Sequence, residues 1–432
     1  MTPIRIALLG CGTVGGGVIR LLRSHALAHA ARVGAPIEVR RVLVRDRDKE
    51  RVPDLPRSIV TTNPDEIFCD EAIDIVVEVM GGIDPARAYV ERAIDAGRGV
   101  VTANKMLLAL HGPALVERAA QRGVDLAFEG SVGGGIPIVR TLREALASDS
   151  IVEIAGIVNG TSNFVLTRMQ REGATFEAAL REAQELGYAE ADPSLDVDGH
   201  DAAHKLVVLA MLAFGARVDH ARVATEGIRT VEPIDHAFAA RFGFAVKHLA
   251  IGRDHGDRGV ELRVHPALLP SATPLANVGG VLNAIAIAGS ALGPCLLSGR
   301  GAGDMPTAVS VVADLIDVAR ARRGGTAGLA TRAIVLRDRP LTPMSDVECR
   351  FFLRFEVYDR AGVLARITGA LGDAGVSIEQ VVQLGGGDAG GKAVQVVMLT
   401  HAAREGAIQR ALAAVAQADF AAAPPRLLRV HG

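Results

Sequence analysis

Two rhythms of apolar residues alternate along the chain, and each predicts an element. The opening run IRIALLG (4–10) is a short β-branched and leucine stretch, CGTVGGG follows it as a glycine turn, and VIRLLRSHAL has helical spacing. IEVRRVLV (37–44), IDIVVEV (73–79), GVVTANK (99–105) and the start of VDLAFEG (124–130) read as further strands, with helices predicted over 85–96 and from about 113 to 122. Strands that alternate with helices in this way predict an α/β fold, a doubly wound parallel sheet covered on both faces.

The pattern then changes. IVEIAGIVNGTSNFVLTRM reads as a strand, a polar turn and a helix starting near 162, while DAAHKLVVLAMLAF (201–214) has helical length and period. Alternating stretches such as HLAIGRD, VELRVHP and LNAIAIAG suggest an open sheet, and residues 306–323 a helix that returns to the first domain. Residues 324–348 mix turn residues with charge and read as a linker. The remainder, with CRFFLRFEVYDRAGVLARITGALGDAGVSIEQVVQ, KAVQVVMLT and REGAIQRALAAVAQ, runs in the order βαββαβ. The expected domains are therefore 1–135 completed by the 306–323 helix, a second α+β domain over 136–305, the linker, and a tail over 349–432 that should be separable.

Chemistry concentrates in a few places. Gly10, Gly12 and Gly15 fit G-x-G-x-x-G between a strand and a helix, the context in which backbone approaches a pyrophosphate and the helix N-terminus receives its charge. Thr13 and Val14 lie in the same turn. The second strand ends in Arg45, followed by Asp46, Arg47 and Lys49, and an arginine there suits a 2′-phosphate, so NADP is favoured with NAD as the alternative. Lys105 follows a strand end, where ligands of such sheets bind.

The stretch AQELGYAEADPSLDVDGHDAAHK (183–205) is the densest in reactive side chains. Asp201 and Lys205 stand four apart on one helical face, and eleven uncharged residues, 206–216, follow the lysine. An amine heading a buried helix is placed to lose water, which is how lysines become useful acids and bases. The glycine loop EGSVGGGIPI offers carbonyls beside Glu129, which suits a hard or monovalent cation or a plain hinge. Amides near Gly160 and Thr161, at a predicted helix start, suit a carboxylate.

Composition narrows the rest. With 432 residues, 49% of them hydrophobic, two or three cored domains are expected, and a net charge of −2 argues against nucleic-acid or polybasic membrane partners. Four cysteines lie far apart with no CxxC or Cys/His spacing, as suits a reducing cytoplasm. The N-terminus lacks a basic region and cleavage site, and the weakly polar run 278–299 is broken by glycines, Asn283, Ser290 and Pro294, so no membrane segment is expected.

GTVGGG, TANK, NGTSNF, the whole 183–205 stretch and SGRGAGDMPTAVSVVADL, in this order, resemble the homoserine dehydrogenase family over the full length. The resemblance implies NAD(P)-linked interconversion of L-aspartate 4-semialdehyde and L-homoserine on the route to threonine, methionine and isoleucine. It implies Lys205 as proton donor to the aldehyde oxygen and Lys105 as a second lysine reaching nicotinamide and substrate. Glu190 and Asp201 match the carboxylates that hold the substrate's amino group, while Gly160, Thr161, Tyr188 and Asp196 match further substrate contacts. Gly301 and Gly303 fall near the cofactor. Glu129, with the carbonyls of Val132, Gly134 and Ile136, resembles a structural sodium or potassium site.

The βαββαβ tail resembles an ACT domain, a ferredoxin-like amino-acid-sensing module, which implies threonine as effector; the usual proline before its turn glycine is Ala361 here, ahead of Gly362. A homodimer or homotetramer is expected. Two other readings are a catalytically silent amino-acid sensor, which would lack Lys205 or its carboxylates, and another NADP-linked semialdehyde enzyme, which would need a nucleophilic cysteine in a base-paired setting.

Overall fold

The computed structural model describes residues 2–49, 51–52, 55–384 and 393–432; Lys392, at the head of the predicted strand KAVQVVMLT, lies outside them. The chain forms two compact units, each drawn from three segments: Met1–Gly160, His200–Val223 and Val281–Arg339 in the first, Thr161–Gly199, Ala224–Gly280 and Pro340–Gly432 in the second.

The first unit is built on a parallel sheet of β1 (Ile4–Leu9), β2 (Ile37–Leu43), β3 (Val60–Thr61), β4 (Ile75–Glu78), β5 (Gly99–Thr102) and β6 (Leu126–Ala127), in the order β3-β2-β1-β4-β5-β6. β4 and β5 are buried along their whole length, as strands covered on both faces must be. The sequence order reverses between β1 and β4, and that switch point opens a crevice beyond their carboxyl ends. The helix Asp304–Gly324 puts Ala308, Val311, Val312 and Leu315 into the same core as Ile6, Leu8, Val18 and Ile19.

One predicted helix starts elsewhere. The helix expected from about 113 runs over Lys105–Arg122 and carries Pro113 in its interior. Its start is set by Asn104, whose side chain accepts from Leu107 N, so the cap outweighs the proline that the sequence suggested as a first residue. A second sheet of this unit pairs Leu282–Gly289 antiparallel with both Ile151–Ile157 and Gly293–Arg300. The helix His200–Ala213 is buried from Asp201 to Met211.

The second unit holds a mixed sheet. Phe244–Asp254 and Val260–Pro270 form a long antiparallel pair, and the chain's last strand, Arg426–Val430, joins Val260–Pro270 in parallel, with Ala267 opposite Arg429. On its other side Arg426–Val430 pairs antiparallel with Glu348–Tyr358, which continues to Ala393–Thr400 and Ile378–Leu384. The helices Val363–Asp373 and Glu405–Ala416 cover one face of these last strands around Phe351, Phe355, Ile367 and Ile408, giving the expected βαββαβ module. Residues 324–348, read as a linker, include the helix Leu329–Arg332 and the strand Arg337–Asp338. Among the described residues no helix is long and apolar enough to cross a membrane.

Candidate active site

The glycine turn after β1 is built for backbone approach. Gly10 takes φ +96°, and a Cβ on Gly15 would lie 2.3 Å from the Gly10 carbonyl, so the turn closes only with glycines at both positions. Gly12 is exposed with nothing within 4 Å of a Cβ position, and it precedes the helix Thr13–Ser24, which has no acidic residue in its first turn. Thr13 is exposed and Val14 packs against the core. This cradle fits a dinucleotide's pyrophosphate. Gly303 takes φ +119° at the start of Asp304–Gly324, and Asp304 pairs with Arg20 of the first helix at 2.5 Å.

Arg45 is exposed beyond β2, whereas Asp46 Oδ1 is engaged by the amides of Asp48 and Lys49. At the end of β4, Glu78 is fully buried and accepts from Thr102 Oγ1 at 2.5 Å and from the amides of Met80 and Gly81. Burial raises its pKa against those hydrogen bonds. Asn104 donates to Gly82 O, so Glu78, Thr102 and Asn104 tie the strand ends to the start of the Lys105 helix. Glu78 was not singled out from the sequence; its only signal there is one carboxylate inside the apolar run IVVEVM (75–80).

Lys105, Asp201 and Lys205 come together in the first unit. Asp201 Oδ1 lies 2.6 Å from Lys105 Nζ, and Oδ2 accepts from Lys205 Nζ at 2.7 Å and from Asn159 Nδ2 at 2.8 Å. Lys205 Nζ also donates to Val158 O at 2.6 Å. The Lys205 side chain is 9% exposed and that of Lys105 41%. Burial alone would raise the Asp201 pKa, but the charges of Lys205 and Lys105 prevail and hold the carboxyl well below the usual range. An ionised carboxylate thus fixes two ammonium groups, one of them almost dry. Asn159 and the Val158 carbonyl were missed; NGTSNF marked the region without saying which atoms it lends.

In the second unit Thr161, Tyr188 and Asp196 come together. Thr161 Oγ1 donates to Tyr188 O at 2.6 Å and lies 3.2 Å from Asp196 Oδ2, and Ser162 Oγ donates to Asp196 O. Asp196 rides on a short helix, Ser194–Val197. Tyr188 and Glu190 are exposed. Gly160 opens the helix Gly160–Glu172 in close contact with Val281 O, which a Cβ would approach to 3.0 Å.

The glycine loop after β6 is tightly bonded. Glu129 accepts from the amides of Val139 and Arg140, both at 2.8 Å, and burial raises its pKa. Gly134 O accepts from Ser310 Oγ and Ile136 O from Ile138 N, while Val132 is buried. A carbonyl has a second lone pair, so the Gly134 and Ile136 oxygens can each accept once more. Among the described residues no group of three or more His, Cys, Asp or Glu stands ready for a metal ion.

Residues 137–316 match the family described as homoserine dehydrogenase, residues 10–129 the homoserine dehydrogenase NAD binding domain, and residues 351–417 the ACT domain. The chain is 41% identical to the homoserine dehydrogenase of Pseudomonas aeruginosa, covering 100% of this chain and 99% of that one. A homoserine dehydrogenase structure from Thiobacillus denitrificans superposes with a TM-score of 0.93 at 43% identity, covering 100% of this chain and 99% of that one. A hyperthermophilic archaeal homoserine dehydrogenase in complex with NADPH matches with a TM-score of 0.61 at 28% identity, covering 73% of this chain and 98% of its own.

Proposed function

The chain belongs to the homoserine dehydrogenase family, NAD(P)-dependent oxidoreductases acting on a CH–OH group, and from that premise we propose an NADP-preferring enzyme that interconverts L-aspartate 4-semialdehyde and L-homoserine for threonine, methionine and isoleucine synthesis. The observation that carries the reading is the ionised Asp201 carboxylate holding Lys205 and Lys105. Bound nicotinamide supplies the hydride. Negative charge then develops on the aldehyde oxygen, and Lys205 gives it a proton from Nζ; in the reverse direction the same nitrogen takes the proton back. Asp201 favours the protonated lysine between turnovers, so its part is to position the two lysines, beyond the share in ammonium binding that the resemblance implies.

Glu190 joins Asp201 as counter-charge for the substrate's ammonium group, Tyr188 and Asp196 are further substrate contacts, and the amides of Gly160 and Thr161 suit its carboxylate. Gly10, Gly12, Thr13, Val14, Gly15 and Gly303 serve the cofactor. NADP preference is supported by the exposed Arg45 beside an Asp46 already engaged in its own turn. The test is initial rates of NADPH and NADH oxidation with aspartate semialdehyde: Arg45→Ala should weaken NADPH binding by about 1.5–3 kcal/mol and leave NADH nearly unaffected. Equal losses for both cofactors would overturn the preference, and no turnover with either would overturn the activity.

The ACT domain supports threonine as effector, and the Glu129 loop, with the carbonyls of Val132, Gly134 and Ile136, supports a structural sodium or potassium ion. Thermal shifts check both: KCl should raise the Tm above choline chloride at equal ionic strength, and threonine should raise it above isoleucine, methionine or lysine. A flat response to threonine would make the tail structural, with Ala361 the first residue to examine. Assembly as a homodimer or homotetramer is supported by Val152, Leu282, Leu292 and Leu296, exposed on and beside the strands of the first unit's second sheet. Four free cysteines support a cytoplasmic location.

A further inference from the structure

The second unit buries a charge cluster that the proposed reaction does not use. Arg429, in the chain's last strand, is 1% exposed and divides its guanidinium between two carboxylates. Nε and Nη2 donate to Glu405 at 2.7 and 2.6 Å, while Nη1 and Nη2 donate to Glu226 at 2.8 and 2.6 Å. Glu405 heads a helix of the βαββαβ module. Glu226 follows the short strand Ala224–Thr225, which runs parallel to Val260–Pro270. A bidentate arginine-carboxylate pair fixes direction as well as distance, so Glu226 is held in one orientation.

What Glu226 leads into packs on the end of the short helix Ser194–Val197. Its amide donates to Val264 O, and its carbonyl accepts from His248 Nε2 at 2.9 Å. The next residue, Gly227, is pressed against this helix end so closely that a Cβ would lie 2.3 Å from Val197 O and 2.6 Å from Asp198 Cα. Ile228 N donates to Val197 O at 2.8 Å, and Arg229 pairs with Asp198. Immediately before Val197 stands Asp196, hydrogen-bonded through its carboxylate to Thr161 and through its carbonyl to Ser162. Residues 226–229 are therefore a brace with Arg429 at one end and the Asp196 carboxylate at the other.

We infer that Glu226 and Arg429 are positioning residues for the amino-acid end of the substrate: Arg429 orients Glu226, the brace sets Val197 and Asp198, and these set Asp196. The inference rests on the reading of Thr161, Tyr188, Glu190 and Asp196 as substrate contacts. A brace of this kind acts on binding geometry without touching the hydride or the proton. Its signature is a change in KM for the amino acid alone.

Glu226→Ala in the full chain is the decisive variant, because the Glu226 side chain is 52% exposed and its loss leaves Arg429 paired with Glu405. KM for homoserine should rise about 10-fold, with kcat within about 3-fold and NADPH affinity unchanged, since misplacement of a binding group costs affinity before chemistry. Glu226→Gln should fall between Glu226→Ala and the parent. A purely stabilising role would lower Tm and the active fraction while leaving KM alone, and that result would overturn the inference. Asp196→Asn keeps the two ideas apart. If it raises KM and Glu226→Ala does not, the brace is wrong; if it leaves KM unchanged, the substrate reading beneath the brace fails first.

Discussion

Replacing Lys205 by alanine is expected to lower kcat by about 10²–10⁴ while NADPH still binds, since the contribution of a positioned general acid is of that size. The geometry explains why the loss should fall on Lys205. Its nitrogen is fixed by Val158 O and Asp201 Oδ2 and is nearly sealed from water, so no solvent molecule has easy access to the same place. Lys105 shares the carboxylate but is far more exposed, and water can substitute for it in part. Single-turnover rates with saturating NADPH, alongside a fluorescence titration of the cofactor, measure the two quantities separately. Near-normal turnover in Lys205→Ala, or a larger loss in Lys105→Ala, would move the proton transfer to Lys105.

The second large effect is on stability. Arg354, in the strand Glu348–Tyr358, is 4% exposed and donates to Asp235 Oδ1 and Glu232 Oε2, both at 2.7 Å. Asp235 is itself buried, and burial raises its pKa while the arginine opposes the rise. It also closes the capping box of the helix Pro233–Arg241, accepting from Glu232 N. Arg354→Met strands this carboxylate in the interior, which typically costs about 3–5 kcal/mol, or roughly 10 °C in Tm for a unit of this size. Scanning calorimetry at neutral pH checks it, and a Tm within about 2 °C of the parent would show that water or Glu232 relieves the carboxylate.

The same contacts bear on the tail. A boundary near 324–348 made it look separable, yet ending the chain at Arg339 would remove Arg354 and Arg429 together and uncover the Val260–Pro270 edge. An uncovered long edge invites aggregation. The sequence hides this because Arg426–Val430 is short and its arginines look like ordinary surface charge; only pairing on both sides shows that Arg429 points inward.

Other parts were legible for identifiable reasons. The glycine turn announces itself because its residue types are dictated by local backbone, and Asp201 with Lys205 by helical spacing. Lys105 was marked by its strand end, but its meeting with Asp201 depends on how two helices pack, which no local pattern encodes. Glu78 and Asn159 act through hydrogen bonds to residues far along the chain or to a carboxylate on another helix, so their residue types alone carry little signal. Pro113 misled the helix start because a proline is a weaker boundary than a side-chain cap nine residues earlier.

The position of the last strand has a consequence for synthesis. Domains fold as the chain leaves the ribosome, N-terminal parts first. The β1–β6 sheet has all its strands by residue 127 and its covering helix by residue 324. The sheet of the second unit is different, since Arg426–Val430 lies between Val260–Pro270 and Glu348–Tyr358 and is made after both. A polypeptide released before residue 426 would carry a complete nucleotide fold and a sheet missing its central link. Synthesis as far as Arg426–Val430 is thereby written into the fold as a condition for assembling the half that holds Thr161, Tyr188 and Asp196.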